Sequence, residues 1–418
     1  MNSRLAIALS ALGILSACGG NLSSNPAGQA VQPGLSHLNG SVRQRTTAAE
    51  LGLWPRPGPA VPVCGPVPPG YARCFAWRRT DIDGVGPAGT VYGYGPSDLQ
   101  DAYKLARYSR SDGKGKTVAV VDAYDDPYAE SDLAVYRKYF HLPKCTSSNG
   151  CFTKEAFTTS TDEGSWWGEQ SLDVDMVSAI CPNCHILLVE AASNSIADLA
   201  AAEAYATAHA GYVSNSWGYH ESVKEYAKYF KPYDKYFSVK GVTITASSGD
   251  SGYLPPAQWP AILPSVTGAG GTSLYVYCCP ELYWYQTSWA HAGSGCSKIY
   301  ATPSFQKGIS TGCSKRASAD AAAVADPSTG VTIYCSCIDH GWGVSGGTSA
   351  ASPIVASAFA LAGNAGSNNN TYLYAHASDL TNITSGPPNG PCGPPLCQPG
   401  TGWNGPTGLG TPNRIAAF

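Results

Sequence analysis

The apolar residues of this chain fall into short continuous runs that alternate with longer amphipathic or alanine-rich segments. Four short runs predict buried strands, at residues 117–121, 186–190, 212–215 and 242–246. Four longer segments predict helices, at residues 131–140, 169–180, 195–210 and after residue 349. Buried strands interleaved with helices are typical of a parallel sheet that is covered on both faces. The pattern therefore predicts one large α/β domain over residues 93–418, without an internal repeat.

The segment before residue 93 has a different composition. Residues 18–92 are rich in Pro, Gly, Ser and Ala, which predicts a tether or short leader segment without a core of its own. Further upstream, Arg4 precedes an apolar run at 5–15, and Leu15-Ser16-Ala17-Cys18 resembles a bacterial lipobox. We therefore predict a lipoprotein signal peptide at 1–17 and a lipid on Cys18, in a protein exported to the cell envelope or the extracellular space. The alternative is an ordinary cleaved signal in which Cys18 is incidental.

The cysteine count agrees with export. Without a lipidated Cys18, the fifteen cysteines leave an even number that disulfides can pair in an oxidising compartment. The Cys181–Cys184 pair has no second pair or flanking histidines to build a zinc site, so we expect a structural disulfide. Spacing suggests the other pairs: Cys64 with Cys74, Cys145 with Cys151, Cys296 with Cys313, Cys392 with Cys397, and Cys278 and Cys279 with Cys335 and Cys337 in either order.

The charge balance limits the classes of partner. Charged residues make up 13% of the chain and the net charge is −3. Because this composition offers no basic patch, we exclude nucleic acid as a partner. After the signal segment, no apolar run has the length of a membrane-spanning helix.

The segment from Gly346 to Pro353 looks like a serine nucleophile at the start of a helix. Two glycines allow a tight turn, and Pro353 stands early in an apolar helix, where its missing N–H costs little. Ser349 would lie at the helix N-terminus, beside backbone N–H groups that favour developing negative charge. On its own, the same pattern also fits a Ser-rich helix cap without any chemistry.

Three further segments carry polar groups that suit a site. Glu169 and Asp173 are four residues apart on a predicted helix, so they share one face, where two like charges destabilise the helix slightly. Asp250 stands in a Gly/Ser-rich turn just past the strand at 242–246, where α/β folds place their sites. Ser216-Trp217-Gly218 follows another strand end and is a candidate for binding an extended peptide substrate.

In their order and spacing, these motifs resemble the sedolisin family, the serine-carboxyl peptidases, which share the subtilisin-like three-layer α/β/α fold with a mainly parallel central sheet. The resemblance covers residues 93–418, from Tyr94-Gly95-Pro96-Ser97-Asp98-Leu99 to a closing run at 402–412. It implies a monomeric endopeptidase or tripeptidyl-peptidase that acts on peptides or proteins. It also implies these roles: Ser349 as nucleophile, Glu169 as its general base, Asp173 as the orienting acid and Asp250 as the oxyanion donor.

These roles predict an acidic working pH. Glu169 can accept the Ser349 proton if Asp173 raises its pKa, because the two carboxyls would titrate as a coupled pair. Asp250 must be protonated in order to donate a hydrogen bond to the oxyanion, a contribution of about 10²–10³ in rate.

Two other interpretations stay open. A histidine-dependent subtilisin-type protease would use an Asp, a His and a Ser, and Asp122 does follow an apolar strand as that aspartate would. However, none of the eight histidines stands in the His-Gly-Thr-His context of subtilisins, and Asp122 is interpreted as an acid of a strand-end turn. The other alternative is a non-catalytic surface binding protein on a peptidase scaffold, which the intact set of catalytic positions disfavours.

The chain departs from the sedolisin pattern in two places. The family's calcium site uses two aspartates, and asparagines stand at both positions here, so we expect weak or absent calcium binding and no required cofactor. The candidate ligands are Asn382, Ile383, Gly400, Gly402 and Asn404. Family members also carry a long folded propeptide, for which residues 19–92 look too short and too Pro-rich. Whether the chain is made as a zymogen stays open at this point.

Overall fold

Short helices and strands alternate along the chain and build its layers. The computed structural model describes residues 54–418 except 83, 87–88, 163–164, 254, 256, 278–282 and 366–368. The predictions for the signal peptide, Cys18, Cys278 and Cys279 lie outside the described residues.

The helices are α1 (Pro96–Ala102), α2 (Ala106–Ser111), α3 (Ala129–Tyr139), α4 (Trp166–Ile180), α5 (Ile196–His209), α6 (Tyr226–Tyr229), α7 (Thr348–Ala362) and α8 (Asn369–Ala375). The strands are β1 (Ala60–Pro62), β2 (Arg73–Cys74), β3 (Trp77–Arg79), β4 (Thr117–Ala123), β5 (Phe152–Ala156), β6 (His185–Ala191), β7 (Tyr212–Asn215), β8 (Trp217–His220), β9 (Thr243–Ser247), β10 (Gln258–Trp259), β11 (Thr267–Tyr277), β12 (Tyr283–Ser288), β13 (Gly295–Cys296), β14 (Ala317–Ser318), β15 (Ala321–Val324), β16 (Val331–Tyr334) and β17 (Trp342–Gly346).

The central sheet has the mainly parallel topology that the sequence pattern predicts. Its strand order is β12-β11-β9-β7-β4-β6-β5, and β15 also pairs with β11. The neighbouring strands are parallel, except that β11 and β12 form an antiparallel pair at one edge. Helices α4 and α7 pack on one face of the sheet and α5 packs on the other. The predicted three-layer α/β/α arrangement is confirmed.

Strand β4 shows why continuous apolar runs predicted strands correctly. Val118 and Val120 belong to the core that also contains residues of α4 and α7, whereas Ala119 and Val121 belong to the core that contains residues of α5. All four side chains are fully buried. Because successive side chains point to opposite faces, a strand between two helical layers is buried on both faces and is therefore mostly apolar.

The predicted helices occur with small shifts at their ends, and their caps explain where they begin and stop. Ser195 precedes α5 and its hydroxyl accepts a hydrogen bond from the backbone N–H of Asp198 at 3.1 Å. Helix α7 is followed by the capping residue Gly363, which has a φ of +78° in the left-handed region that favours glycine. Among the described residues, no helix is both long enough and apolar enough to cross a membrane.

Part of the predicted tether forms strands that pair with the α/β domain. Strand β1 pairs antiparallel with β3, β3 with β17, and β2 with β8. Backbone hydrogen bonds make these pairings, so they need no apolar run in the Pro- and Gly-rich segment. All described residues belong to one compact unit, Arg45–Phe418. The domain boundary at residue 93 stays a prediction, but residues 60–79 pack against the α/β domain.

Disulfide pairing among the described cysteines follows the prediction with one exception. Cys335 and Cys337 bond to each other, so the prediction that they pair with Cys278 and Cys279 is wrong. The chain turns directly after β16, where the N–H of Ile338 donates to the carbonyl of Cys335 at 3.0 Å, and this turn brings the two sulfurs together. The predicted pairs that occur are Cys64–Cys74, Cys145–Cys151, Cys181–Cys184, Cys296–Cys313 and Cys392–Cys397.

Candidate active site

Ser349 is the second residue of α7, and a glycine turn holds it there. Gly347 precedes the helix with a φ of +88°, in the left-handed region that favours glycine. A Cβ at this position would lie 1.8 Å from the carbonyl oxygen of Phe75 and 2.8 Å from Oδ2 of Asp250. The buried hydroxyl of Ser349 donates to the carbonyl of Ser216 at 3.0 Å. The missing side chain at Gly347 therefore lets a peptide carbonyl approach Asp250.

Three carboxyl groups gather near Ser349. Glu169 and Asp173 lie on the same face of α4, as their spacing predicts, and Asp122 approaches them from the end of β4. All three side chains are fully buried. The interpretation of Asp122 as an acid of a strand-end turn is wrong, because the residue is still inside β4 and its carboxyl is enclosed between sheet and helix. Oε2 of Glu169 accepts a hydrogen bond from the backbone N–H of Ala76 at 2.8 Å.

Burial raises the pKa of each member of this carboxyl cluster. Loss of hydration raises the pKa of Asp122 to about 8. Burial and then the charge of Asp122 raise the pKa of Glu169 well above its ordinary value, while the nearby hydroxyl of Ser349 and the N–H of Ala76 lower it. Burial, Asp122 and Glu169 together raise the pKa of Asp173. Because the three carboxyls interact, their protons leave in steps that belong to the cluster as a whole, and the N–H of Ala76 stabilises negative charge on Glu169. A carboxylate that interacts with a serine hydroxyl in this way can act as its general base.

Pro353 leaves one backbone carbonyl of α7 without its helical N–H donor, and Ser216 links that carbonyl to Asp173. A proline has no N–H to donate to the carbonyl four residues earlier, which here belongs to Ser349. That carbonyl lies 3.2 Å from the hydroxyl oxygen of Ser216, which also lies 2.7 Å from Oδ1 of Asp173. A hydroxyl carries only one hydrogen. Both contacts are therefore satisfied when the protonated carboxyl of Asp173 donates to the hydroxyl oxygen of Ser216 and that hydroxyl donates to the backbone carbonyl of Ser349. Burial raises the pKa of Asp173, which fits this arrangement.

Asp250 follows β9 and is anchored through one of its two carboxyl oxygens. Oδ1 accepts hydrogen bonds from the backbone N–H and the hydroxyl of Thr348, at 2.8 and 2.7 Å. Oδ2 lies beside Gly347, next to the carbonyl oxygen of Phe75. Burial raises the pKa of Asp250 to about 7, although the hydrogen bonds from Thr348 and the charge of Arg73 oppose the rise. Below that pH, a proton on Oδ2 makes Asp250 a hydrogen-bond donor to a carbonyl oxygen at this position.

An extended segment of the chain lies along the candidate substrate-binding residues. Strands β2 and β8 pair antiparallel, with Cys74 opposite Trp217 and Arg73 opposite Gly218. The N–H of Phe75 donates to the carbonyl of Ser216 at 3.1 Å. The indole of Trp217 is buried and donates to the carbonyl of Val121 at 2.8 Å, so its backbone, not its ring, faces the segment.

Sequence reasoning missed three contributors to this site. Asp122 carried a usable signal, because an acid at the carboxyl end of a buried parallel strand lies where α/β folds place their sites. Thr348 directly precedes Ser349, and its hydroxyl suits a hydrogen bond. Ala76 carried no signal at all, since only its backbone N–H takes part.

The candidate calcium ligands form a hydrogen-bonded loop without charged ligands. The side-chain N–H of Asn382 donates to the carbonyl of Gly402 at 2.7 Å, and that of Asn404 donates to the carbonyl of Ile383 at 3.1 Å and approaches Gly400 at 3.5 Å. The side-chain oxygens accept hydrogen bonds from Gly402 and from Thr407. Amide hydrogens thus point at the carbonyls that a cation would need, so these residues do not fit calcium. Elsewhere in the described part of the chain, no cluster of three or more His, Cys, Asp or Glu side chains suits a metal.

Comparison with known proteins gives two related sequences. The chain is 28% identical to kumamolisin from Bacillus sp. (strain MN-32) over 359 residues, which cover 77% of this chain and 62% of kumamolisin. It is 30% identical to sedolisin from Pseudomonas sp. (strain 101) over 205 residues, which cover 42% of this chain and 34% of sedolisin. The chain therefore spans less than two thirds of each relative. No protein-family model matches the sequence.

Two solved structures share the fold. Pseudomonas sedolisin, a serine-carboxyl proteinase in complex with two molecules of pseudo-iodotyrostatin, aligns with a TM-score of 0.64 at 22% identity, over 78% of this chain and 96% of that one. A lanthipeptide protease aligns with a TM-score of 0.51 at 13% identity, over 77% and 92% of the two chains. The fold is therefore the subtilisin-like α/β fold of sedolisin, and the similarity to kumamolisin and sedolisin supports the sedolisin family for this chain.

Proposed function

We propose that this chain is an exported serine-carboxyl peptidase that hydrolyses peptide bonds at acidic pH. The observation that carries the proposal is the peptide unit Phe75–Ala76, which lies between Glu169 and Asp250 and next to the Ser216 carbonyl to which Ser349 donates. The carbonyl of that unit lies beside Asp250, and its N–H bonds to Glu169 at 2.8 Å. The similarity to kumamolisin and sedolisin supports the same activity.

Each residue then has a defined step. Ser349 Oγ attacks the carbonyl carbon of the bound peptide while Glu169 takes the hydroxyl proton. Protonated Asp250 donates from Oδ2 to the oxyanion. Glu169 passes its proton to the departing amine, and the peptide C–N bond breaks. Water then hydrolyses the acyl ester with Glu169 as the base, which regenerates Ser349. Asp173 positions the start of α7 through Ser216, and it lies close enough to Glu169 for the two carboxyls to influence each other's charge.

The pairing of strands on both sides of Ser349 supports an endopeptidase. β8 pairs with the backbone on one side of the peptide unit, and β17 pairs with it on the other. A cleft that binds polypeptide on both sides of the cleaved bond accepts a bond inside a chain. A tripeptidyl-peptidase instead has to close the cleft on the amino side of that bond, beyond the third residue.

We also propose that Cys18 is lipidated and anchors the protein at the cell envelope, and that the protein is monomeric. The disulfides fit an exported protein. Replacement of Cys18 by Ser should move the protein from the membrane fraction to the soluble fraction. Retention in the membrane fraction would contradict the anchor without bearing on the chemistry.

Hydrolysis of a denatured protein by the purified chain at pH 4 and at pH 8 tests the activity. We expect internal cuts at pH 4 and little cleavage at pH 8, because Asp250 has then lost its proton. Activity that rises between pH 6 and pH 8 would favour a histidine base. No hydrolysis at any pH would favour a non-catalytic binding protein.

A further inference from the structure

The segment between β8 and β9, residues 221–240, carries a concentration of lysine that the composition of the whole chain hides. Although the net charge of the chain is −3, five lysines stand within 17 residues of this segment: Lys224, Lys228, Lys231, Lys235 and Lys240. All five are exposed. The overall charge balance indicated no basic patch, because it does not report where the charges stand along the chain.

A run of helical turns places four of these lysines on one face. Helix α6 is followed by further turns, in which the N–H of Lys231 donates to the carbonyl of Tyr226 and the N–H of Asp234 donates to that of Phe230. On a helix, residues three or four apart share a face and residues two apart lie on opposite faces. The lysine stripe consists of residues with this three- or four-residue spacing, Lys224, Lys228, Lys231 and Lys235. The side chains at 226, 230, 234 and 237 form the opposite stripe.

The opposite stripe is anchored in the core. Phe230 and Phe237 are fully buried, and their ring centroids lie 5.4 and 4.8 Å from that of Trp259. The ring of Phe237 also packs against Trp217, at 6.1 Å between centroids. The segment is therefore held by one face, and the lysine stripe is presented to solvent.

Two of the three acids in this segment are turned inward and are already bonded. The carboxylate of Asp234 accepts hydrogen bonds from the indole N–H of Trp259 at 3.0 Å and from the hydroxyl of Tyr226 at 2.9 Å. Glu221 is 2% exposed and accepts from the hydroxyl of Ser297 at 2.5 Å. These two carboxyl groups therefore lie behind the lysines, where they do not pair with them.

The charge of the lysine stripe is left without a carboxylate partner. Within the part of the chain that the structure describes, none of the five lysines forms an ion pair. Glu225, the third acid, is half-buried and interacts with the hydroxyl of Tyr219. The ammonium group of Lys228 lies over the ring of Tyr229, 4.5 Å from its centroid. The stripe is thus a positive surface with aromatic rings beside it.

The groups next to the lysines suit the boundary between water and lipid. Val223 is 62% exposed directly before the stripe begins. Tyr229, Tyr233 and Tyr236 are half-buried between the lysines. Tyrosine rings and lysine stems have an apolar body and a polar end, and both are favoured at membrane interfaces. A soluble polyanion would make no use of the exposed apolar side chain.

We propose that the lysine stripe is a docking surface for the anionic phospholipid headgroups of a bilayer. Lysine keeps its positive charge in acid and a phosphodiester keeps its negative charge, whereas carboxylates of an acidic protein take up protons near pH 4. The choice of phosphate over carboxylate rests on the acidic pH of the proposed function, but the surface itself does not. Since β8 leads from Ser216 into this segment, a bilayer bound here lies close to the cleft.

The test measures vesicle binding at pH 5 by a chain that begins at residue 19, which carries neither the signal peptide nor Cys18. All described residues belong to the unit Arg45–Phe418, so this chain keeps the folded part. Vesicles of phosphatidylcholine and phosphatidylglycerol in equal parts should bind the chain at low salt. Vesicles of phosphatidylcholine alone should bind it about tenfold more weakly or less, and high salt should remove the difference.

Charge variants locate the binding on the stripe. K224Q/K228Q/K231Q should lower the partition coefficient by roughly a hundredfold, because each lysine near an anionic surface contributes roughly fivefold. K224R/K228R/K231R keeps the charge and should bind like the parent. The matched control K114Q/K138Q/K144Q removes three exposed lysines outside the segment and should also bind like the parent.

Three results would overturn the inference: equal binding to both kinds of vesicle, parent-like binding by K224Q/K228Q/K231Q, or equal loss of binding in the matched control. Polyaspartate or single-stranded DNA that binds the parent as tightly as the vesicles would also overturn it, in favour of a soluble polyanion. Turnover of a short uncharged peptide is a separate readout and should be the same in the parent and the three variants. Absence of turnover would contradict the proposed function, while vesicle binding alone decides the inference.

Discussion

Thr348 donates two hydrogen bonds to the same oxygen of Asp250, from its backbone N–H at 2.8 Å and from its hydroxyl at 2.7 Å. Both bonds go to Oδ1, which leaves Oδ2 to carry the proton beside Gly347. Thr348 thus fixes Oδ1 of Asp250 in place and leaves Oδ2 for the proposed role as hydrogen-bond donor.

This division predicts how Asp250 variants behave. In D250N, the amide oxygen can accept from Thr348 while the amide nitrogen donates to the oxyanion, so D250N should keep more activity than D250A. D250A should lose about 10²–10³ in kcat. The parent's activity should fall as the pH rises through about 7, where Asp250 ionises, and D250N should lack this alkaline limb. A pH–rate profile with a peptide substrate measures both effects. An unchanged alkaline limb in D250N would show that another group controls it.

Ser349→Ala should abolish proteolysis and leave the fold intact, since the only loss is the nucleophilic oxygen. The expected loss is on the order of 10⁴–10⁶ in kcat. Ser357→Ala is the matched control, because Ser357 lies on the same helix, is equally buried and is distant from the carboxyl cluster. Turnover of a peptide substrate and circular dichroism separate activity from folding. More than a few per cent of residual activity in pure S349A would contradict its role.

The buried carboxyls predict that the protein is more stable in acid than at neutral pH. Burial raises the pKa of Asp122 and of Glu203 to about 8 and that of Asp250 to about 7. The folded chain therefore holds protons that the unfolded chain loses above about pH 4. The free energy of unfolding then falls as the pH rises to about 8, by up to about 1.4 kcal/mol per pH unit for each group.

Melting temperatures between pH 5 and pH 8, in an S349A background that prevents self-digestion, check this sign. We expect Tm to fall with rising pH, and to fall less steeply in D122N, which stays neutral. D339N changes an exposed acid and should follow the parent. A Tm that rises toward pH 8 would mean that the cluster is ionised in the folded state.

Calcium should contribute little to stability. Because the amides of Asn382 and Asn404 donate to the carbonyls of Gly402 and Ile383, EDTA should leave Tm unchanged and added calcium should not raise it. N382D/N404D replaces both donors with carboxylates, so we expect it to be less stable without metal and to gain Tm with calcium. A large drop in Tm of the parent on EDTA, restored by calcium, would contradict this interpretation of the two asparagines.

The sequence by itself determined the layers and the predicted catalytic set. The apolar run in β4 consists of consecutive residues, so it can be recognised in the sequence alone. A strand that is buried on both faces of a sheet needs such a run. Glu169 and Asp173 share a helix face through their spacing alone. Close cysteines such as Cys181 and Cys184 pair because a short loop leaves them few other partners.

Only the tertiary structure decided what joins these parts. Ala76 reaches Glu169 across 93 residues through a backbone N–H, a group that every residue except proline carries and that no sequence pattern distinguishes. Asp122 belongs to the carboxyl cluster because β4 ends opposite α4. The sequence of β4 does not show which helix packs against its end. The hairpin at 60–79 is held by backbone pairing with β8 and β17 and by one disulfide, so its composition resembles a tether. The physical reason is the same in each case: side-chain burial leaves a periodic record in the sequence, whereas backbone hydrogen bonds and long-range electrostatics depend on which segments the fold brings together.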